Sequence, residues 1–199
     1  MKRTSLAIAL IIVGICTLGV ISAPAQSSYS VNYLANNGVS GAPDATVRVT
    51  NPGTSNGNLC AMVYVFDNDQ QMDECCGCIT TPDGLRTFSV TKDLTSNPLV
   101  GTVVTTGAIK LVSTTVNDSP CNPAGAFVGG GAGIWEPAYN LRAWATHIEN
   151  KVGTAYPITE TAFTDATLST GELESLEFDC YFIQRLGSGH GICSCGSGD

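Results

Sequence analysis

The chain has 199 residues, 9 Lys/Arg against 17 Asp/Glu, a formal charge of −8 and nine cysteines. An acidic chain with no basic stripe has nothing with which to neutralise phosphates, which argues against nucleic acid and anionic lipid as partners. The length suits one domain with a real core and is too short for two comfortable ones.

The N-terminus reads Met1-Lys2-Arg3, an apolar run over 6–21, then Ala23-Pro24-Ala25. A basic n-region, an h-region and an A-x-A signal make residues 1–25 a signal peptide with cleavage expected after Ala25. Gly14, Thr17 and Gly19 interrupt the run, which falls short of the roughly 20 residues a membrane span takes. Ile15 before Cys16 is too bulky for a lipoprotein processing site. Cleavage leaves eight cysteines, 7 Lys/Arg and 17 Asp/Glu, a charge of 7 − 17 = −10. The expected location is secreted, periplasmic or extracellular, with no membrane attachment after cleavage and the charge serving solubility.

Few charges, many Thr, Ser, Val and Gly, and a turn signal about every ten residues are the pattern of an all-β sandwich or barrel. In ATVRVTNPG, Thr46, Arg48 and Thr50 alternate with Val47 and Val49 until Asn51-Pro52-Gly53 stops the strand. LCAMVYVFD is uniformly apolar, as in a central strand buried on both faces. Asp67-Asn68-Asp69 supplies turn chemistry, and MDECC returns as its hairpin partner. LRTFSVT alternates after Pro82-Asp83-Gly84, and the long run over 99–116 is expected to be a hairpin divided at Gly107. The Gly- and Pro-rich stretch over 117–137 reads as a loop. Strands resume in NLRAWATHIE and TAYPITETAFTDA.

The period then changes. Ser169 with Glu172 is a capping-box signature, Leu173, Leu176, Cys180 and Ile183 fall at helical spacing, and Gly187 fits a left-handed helix stop. The spacing predicts a helix over 171–186 and, beyond it, a glycine-rich tail that needs a tie. The reading is a mainly β protein, an antiparallel sandwich of immunoglobulin-like or jelly-roll type over 26–170. Residues 171–199, the helix and cysteine-bearing tail, belong to the same domain.

The segments NLCAMVYVFDNDQQMDECCGCITTPDGLRTFSV and GELESLEFDCYFIQRLGSGHGIC resemble a group of uncharacterised secreted proteins of Acidobacteria-type soil bacteria with a Cys-Cys-Gly-Cys motif. The resemblance covers about half of the chain. It implies bacterial export and no established activity, so it carries over no functional residue.

FDNDQQMDECCGC, residues 66–78, admits three chemistries. A calcium loop of EF-hand type starting at Asp67 wants Gly at its sixth position and Glu at its twelfth, where this chain has Met72 and Cys78. Its four acids, Asp67, Asp69, Asp73 and Glu74, are read as solvated turn residues. A zinc or copper site would draw on Cys75, Cys76, Cys78, His190, Cys193 and Cys195, but the spacings are CC and CxC rather than paired CxxC. Adjacent Cys75 and Cys76 point to opposite faces of a strand, so both reach one ion only if Gly77 bends the chain. Disulfides suit an oxidising compartment and use all of Cys60, Cys75, Cys76, Cys78, Cys121, Cys180, Cys193 and Cys195. Sequence alone allows 105 connectivities. The expected set joins the CCGC strand to tail Cys193 or Cys195 and to helical Cys180, with Cys60 or Cys121 taking what remains.

No catalytic residues are assigned and no cofactor is implied: G-x-S-x-G, H-E-x-x-H and Walker-type loops are absent. His147 reads as a strand-surface histidine. Glu136 suits a glycosidase pair only as any acid would. Trp144 and one tyrosine are expected in the core, while Trp135 and Tyr139 are candidates for stacking on a protein or polysaccharide ligand. The leading expectation is a secreted, disulfide-stabilised, non-catalytic module with a structural, adhesive or ligand-binding role. A metal-binding or redox protein using the cysteine cluster is the alternative, and a secreted hydrolase the third.

Overall fold

The computed structural model describes residues 27–55, 57–116, 121–125 and 137–198. The expected signal peptide, most of the 117–137 stretch, Trp135 and Glu136 lie outside these. Ten strands form two antiparallel sheets. In the first, β4 (Met72–Thr80), β3 (Leu59–Asp67), β6 (Gly107–Thr115), β1 (Tyr29–Leu34) and β9 (Thr164–Asp165) lie side by side in that order. In the second the order is β10 (Ser197–Gly198), β5 (Leu85–Ser89), β2 (Thr46–Thr50), β7 (Arg142–Ile148) and β8 (Ile158–Ala162). A π-helical turn, Val90–Leu94, follows β5, and one helix, α1 (Thr170–Leu186), precedes the tail.

The alternation in β2 buries Val47 and Val49 against Val63, Val65, Ile109 and Leu111 of the first sheet, with Phe88 and Ala145 beside them. The opposite face of the first sheet, with Cys60, Met62, Tyr64 and Val112, packs on Leu176, Cys180 and Ile183 of α1. The protein is therefore a sandwich carrying the helix as a third layer, and β3 is apolar throughout because it has a core on each side. Burying each such side chain is worth about 1.5 to 3 kcal/mol. Tyr64, fully buried, satisfies its hydroxyl by donating to the Pro123 carbonyl at 2.9 Å.

The helix begins where its cap requires: Ser169 Oγ accepts from the Glu172 amide at 3.1 Å. It ends differently from expectation. Gly187 has φ −72°, and the left-handed residues are Ser188 and Gly189. Glycine is needed at 187 for space, because a Cβ there would sit 2.6 Å from the carbonyl oxygens of Ile183 and His190. The 99–116 run also departs from expectation: only Gly107–Thr115 is a strand, and residues 95–106 form a loop. Trp144 alternates with buried Ala143 and Ala145, so it lies half-buried on the outer face of the second sheet, opposite Arg48, and not in the core. The core tyrosines are Tyr64 and Tyr29.

After α1 the tail runs along the free edge of β4. The Cys75 amide donates to the Gly191 carbonyl at 2.9 Å, and the Cys193 amide to the Cys75 carbonyl at 3.3 Å. The Ser194 amide then donates to the Asp93 carbonyl at 2.8 Å, and β10 pairs with β5 at the corresponding edge of the second sheet. One segment thus covers two edges that would otherwise offer unpaired backbone groups.

Candidate functional site

All eight cysteines among the described residues are paired: Cys60–Cys121, Cys75–Cys180, Cys76–Cys193 and Cys78–Cys195. Side chains alternate along a strand, so Cys75 reaches the helix layer while Cys76 and Cys78 reach the tail from the opposite core. Gly77 is not a bend, since it pairs in register with Met62; its lack of a side chain lets the Cys121 carbonyl lie against the strand. These pairings occupy the sulfurs that the metal alternative would use. Sulfurs joined in disulfides are not thiolate donors, and His190 is exposed in the tail. Among the described residues no group of three His, Cys, Asp or Glu side chains is placed to hold a metal ion.

The acids of the opening stretch divide into two pairs. Asp67 and Asp69 do sit at the hairpin turn, where Asp67 Oδ1 accepts from the amides of Asp69 and Gln71, each at 2.9 Å, and Gln70 adopts φ 65°. Asp73 and Glu74 are not turn residues. They lie in β4 and are 2% and 0% exposed. The register there shifts from Val65↔Glu74 to Phe66↔Met72, making Asp73 the extra residue of a β-bulge. The bulge frees its carbonyl from the ladder to accept the Leu99 amide at 3.2 Å.

Glu74 Oε1 accepts the Asn97 amide at 2.7 Å, while Glu74 Oε2 and both Asp73 carboxyl oxygens are buried without a hydrogen bond. Burial raises the Glu74 pKa to about 7; the Asn97 amide opposes this and the Asp73 charge adds to it. Asp73 is also raised by burial, with the nearby amides of Val100 and Leu99 opposing, although neither makes a hydrogen bond to its carboxyl oxygens. Asn97 continues the connection to the tail. Its carbonyl accepts from Gly191 at 2.7 Å, and its side-chain amide donates to the carbonyls of Gly189 at 2.8 Å and Ile192 at 3.3 Å.

The loop that these bonds hold forms one wall of an open groove of about 450 Å³. Leu99 stands on that wall, Met72 and Gln71 on the hairpin side, and Asp179, Phe182 and Leu186 on α1. Phe182 and Leu186 are 42% and 69% exposed, and with exposed Phe178 they make a stripe at i, i+4 and i+8. This second apolar stripe was readable in the sequence beside the core stripe of Leu176, Cys180 and Ile183. Burial raises the pKa of Asp179, with Lys110 opposing.

The other residues singled out from the sequence fall elsewhere. Tyr139 is exposed beside a shallow hollow that includes Ser27, Ser28, Asp165 and Thr167. Its proposed partner Trp135 lies outside the described residues. His147 is not on the strand surface: it is 1% exposed, stacks on Tyr33 at 3.9 Å, and its Nε2 lies 2.7 Å from Thr161 Oγ1. Burial lowers its pKa, with Glu149 and the Tyr33 backbone opposing. No family model, no curated protein and no solved structure matches this chain.

Proposed function

We propose that the chain is exported through its leader and acts outside the cell as a non-catalytic, disulfide-stabilised binding module. The groove between α1 and the 95–100 loop takes an apolar segment of a protein partner flanked by basic side chains. The observation that carries this reading is the groove itself, where large apolar side chains stand in water on walls that disulfides and hydrogen bonds hold in place. Charge selects the flanks. Asp179 is the ionisable group on its lining, and Asp67 and Asp69 sit at the adjoining turn. Nearby cations are engaged: Lys110 Nζ is 2.7 Å from Glu172 Oε1, and Arg185 lies over the Tyr181 ring at 5.6 Å. The leader, the −10 charge and the resemblance to a secreted bacterial group support export.

A short Leu/Phe peptide flanked by Lys, followed by fluorescence anisotropy, tests the groove. It is expected to bind about tenfold more tightly than its Glu-flanked counterpart, with Leu186→Ser and Phe182→Ser weakening binding. Absence of binding, or binding that neither substitution alters, would overturn the reading. Thiol titration in denaturant without reductant separates it from the redox alternative. Near zero free thiol is expected, whereas several thiols accompanied by zinc or copper would favour a metal protein.

A further inference from the structure

The groove wall and the tail meet at one carboxyl group. The Asn97 amide rests on Glu74, the Asn97 carbonyl and side chain hold Gly189, Gly191 and Ile192, and Gly191 returns a carbonyl to the Cys75 amide. The packing leaves no slack: a Cβ on Gly191 would lie 2.5 Å from Ile183 Cγ2 and 3.2 Å from the Asp73 carbonyl oxygen. The segment between α1 and the tail is bracketed by Cys180 and Cys193, which are bonded to adjacent Cys75 and Cys76. Residues 188–192, beyond the helix, lie between these two fastenings, so both ends stay tied to β4 whatever holds the segment itself.

We propose that Glu74 is a proton-operated latch: the neutral carboxyl keeps the 95–100 loop and residues 189–192 closed on β4, and its ionisation releases them and opens the groove wall at Leu99. A neutral carboxyl keeps Oε1 as an acceptor for Asn97 and needs no further compensation for charge. Oε2 has no partner in either state, but ionisation places a charge on the buried group beside a second acid, a penalty that the Asn97 bond only partly offsets and that opening to water removes. The Glu74 pKa of about 7, against an ordinary 4.5, means that the closed form holds more protons than the open form between those values. Closure is therefore strongest at acid pH and weakens as pH rises through this window. Asp73 on the same strand is the titratable group that acts on Glu74, and Asp67 at the turn acts on Asp73; the elements about them also carry Lys92 and Asp93 on the π-helical turn, Asp179 on α1 and exposed His190 in the tail. The 95–100 loop contributes none, and β3 presents Val65 opposite Glu74.

The motion stands on the hydrogen bonds alone; its control of ligand rests on the binding reading above. Amide exchange on the full chain tests the motion. After correction for intrinsic rates, protection at Asn97, Leu99 and Gly191 is expected to fall by up to about tenfold per pH unit between about pH 4.5 and about pH 7 and to level off above, while Val63 in β3 stays protected. Glu74→Gln, which keeps an acceptor for Asn97, should abolish the fall. Asp73→Asn removes the neighbouring charge and should move the fall to lower pH, a second readout if Glu74→Gln folds poorly. Protection independent of pH in the unmodified chain, or a fall that Glu74→Gln retains, would overturn the latch. The Lys-flanked peptide reports separately. If exchange opens with pH but affinity does not change, the coupling to the groove fails and the latch stands; if affinity changes while protection does not, the latch fails and the groove stands.

Discussion

The two long sides of the sandwich solve the same problem by different means. Along one, the outer strands β4 and β5 are overlaid by the tail, which is fixed through Cys76–Cys193 and Cys78–Cys195. Along the other, β9 and β8 are left as outer strands, and every residue of β8 is exposed. Among the described residues no disulfide reaches that second side. It is held by Arg48 to Glu160 at 3.2 Å, Asn32 Nδ2 to Thr161 Oγ1 at 3.3 Å, and His147 against Thr161. Each side buries titratable groups whose pKa is displaced, in opposite senses. Glu74 and Asp73 are raised and His147 is lowered, so the covalent side favours acid and the side held by hydrogen bonds favours neutral pH.

The largest effect should come from making the sides alike. Deleting residues 188–199 with Cys76→Ala and Cys78→Ala removes two closures of sequence separation 117 and the pairing of β10. Each long closure contributes roughly 2 to 4 kcal/mol, less than additively because the two loops overlap almost completely. Thermal unfolding should show the midpoint lowered by roughly 10 °C, given a few degrees per kcal/mol at this size. An unchanged midpoint would mean that the tail decorates the sandwich without stabilising it.

Where local signals dominate, the sequence was readable. The helix follows from Ser169, Glu172 and a 3.6-residue period, and β3 from an apolar run bounded by turn residues. Even the direction of the clamp was legible, because consecutive Cys75 and Cys76 must face opposite cores. Asp73 and Glu74 were not legible, since their burial is decided by Asn97, Leu99 and Gly191, distant in sequence. A β-rich composition misled over 99–106, where tertiary bonds of Leu99 to β4 and of Val104 and Thr105 to Asn37 override strand propensity. His147 was misread for a related reason: alternation places it on a face, but only Tyr33 and Thr161 reveal that this face is closed.

That closure gives the middle-sized prediction. His147 Nδ1 already lacks a hydrogen bond, so Thr161→Val would leave both ring nitrogens buried and unpaired at a cost of about 1 to 3 kcal/mol. The pH dependence follows from the lowered pKa. The unfolded chain binds a proton on His147 more readily than the fold does, so stability falls as pH drops through the ordinary histidine range near 6.5. Urea unfolding against pH should show stability falling more steeply with rising pH in His147→Gln than in the unmodified chain, because the Glu74 loss between about pH 4.5 and about pH 7 is then no longer offset by the histidine. A pH profile that His147→Gln leaves unchanged would remove His147 from this balance.

The smallest effect separates appearance from energy on the exposed side. The Arg48–Glu160 pair joins β2 to β8 across β7 and is the ion pair that fastens the outer strand, yet its side chains are 39% and 50% exposed. Water and salt screen such a pair, and holding two long side chains in one geometry costs entropy. A double-mutant cycle with Arg48→Ala and Glu160→Ala should therefore return a coupling of about 0.5 kcal/mol or less, shrinking further in high salt. The β8 edge would then owe its place to its ladder with β7 and to the Thr161 contacts beneath it. A coupling above about 1 kcal/mol would show that one surface ion pair does for this edge what two disulfides do for the other.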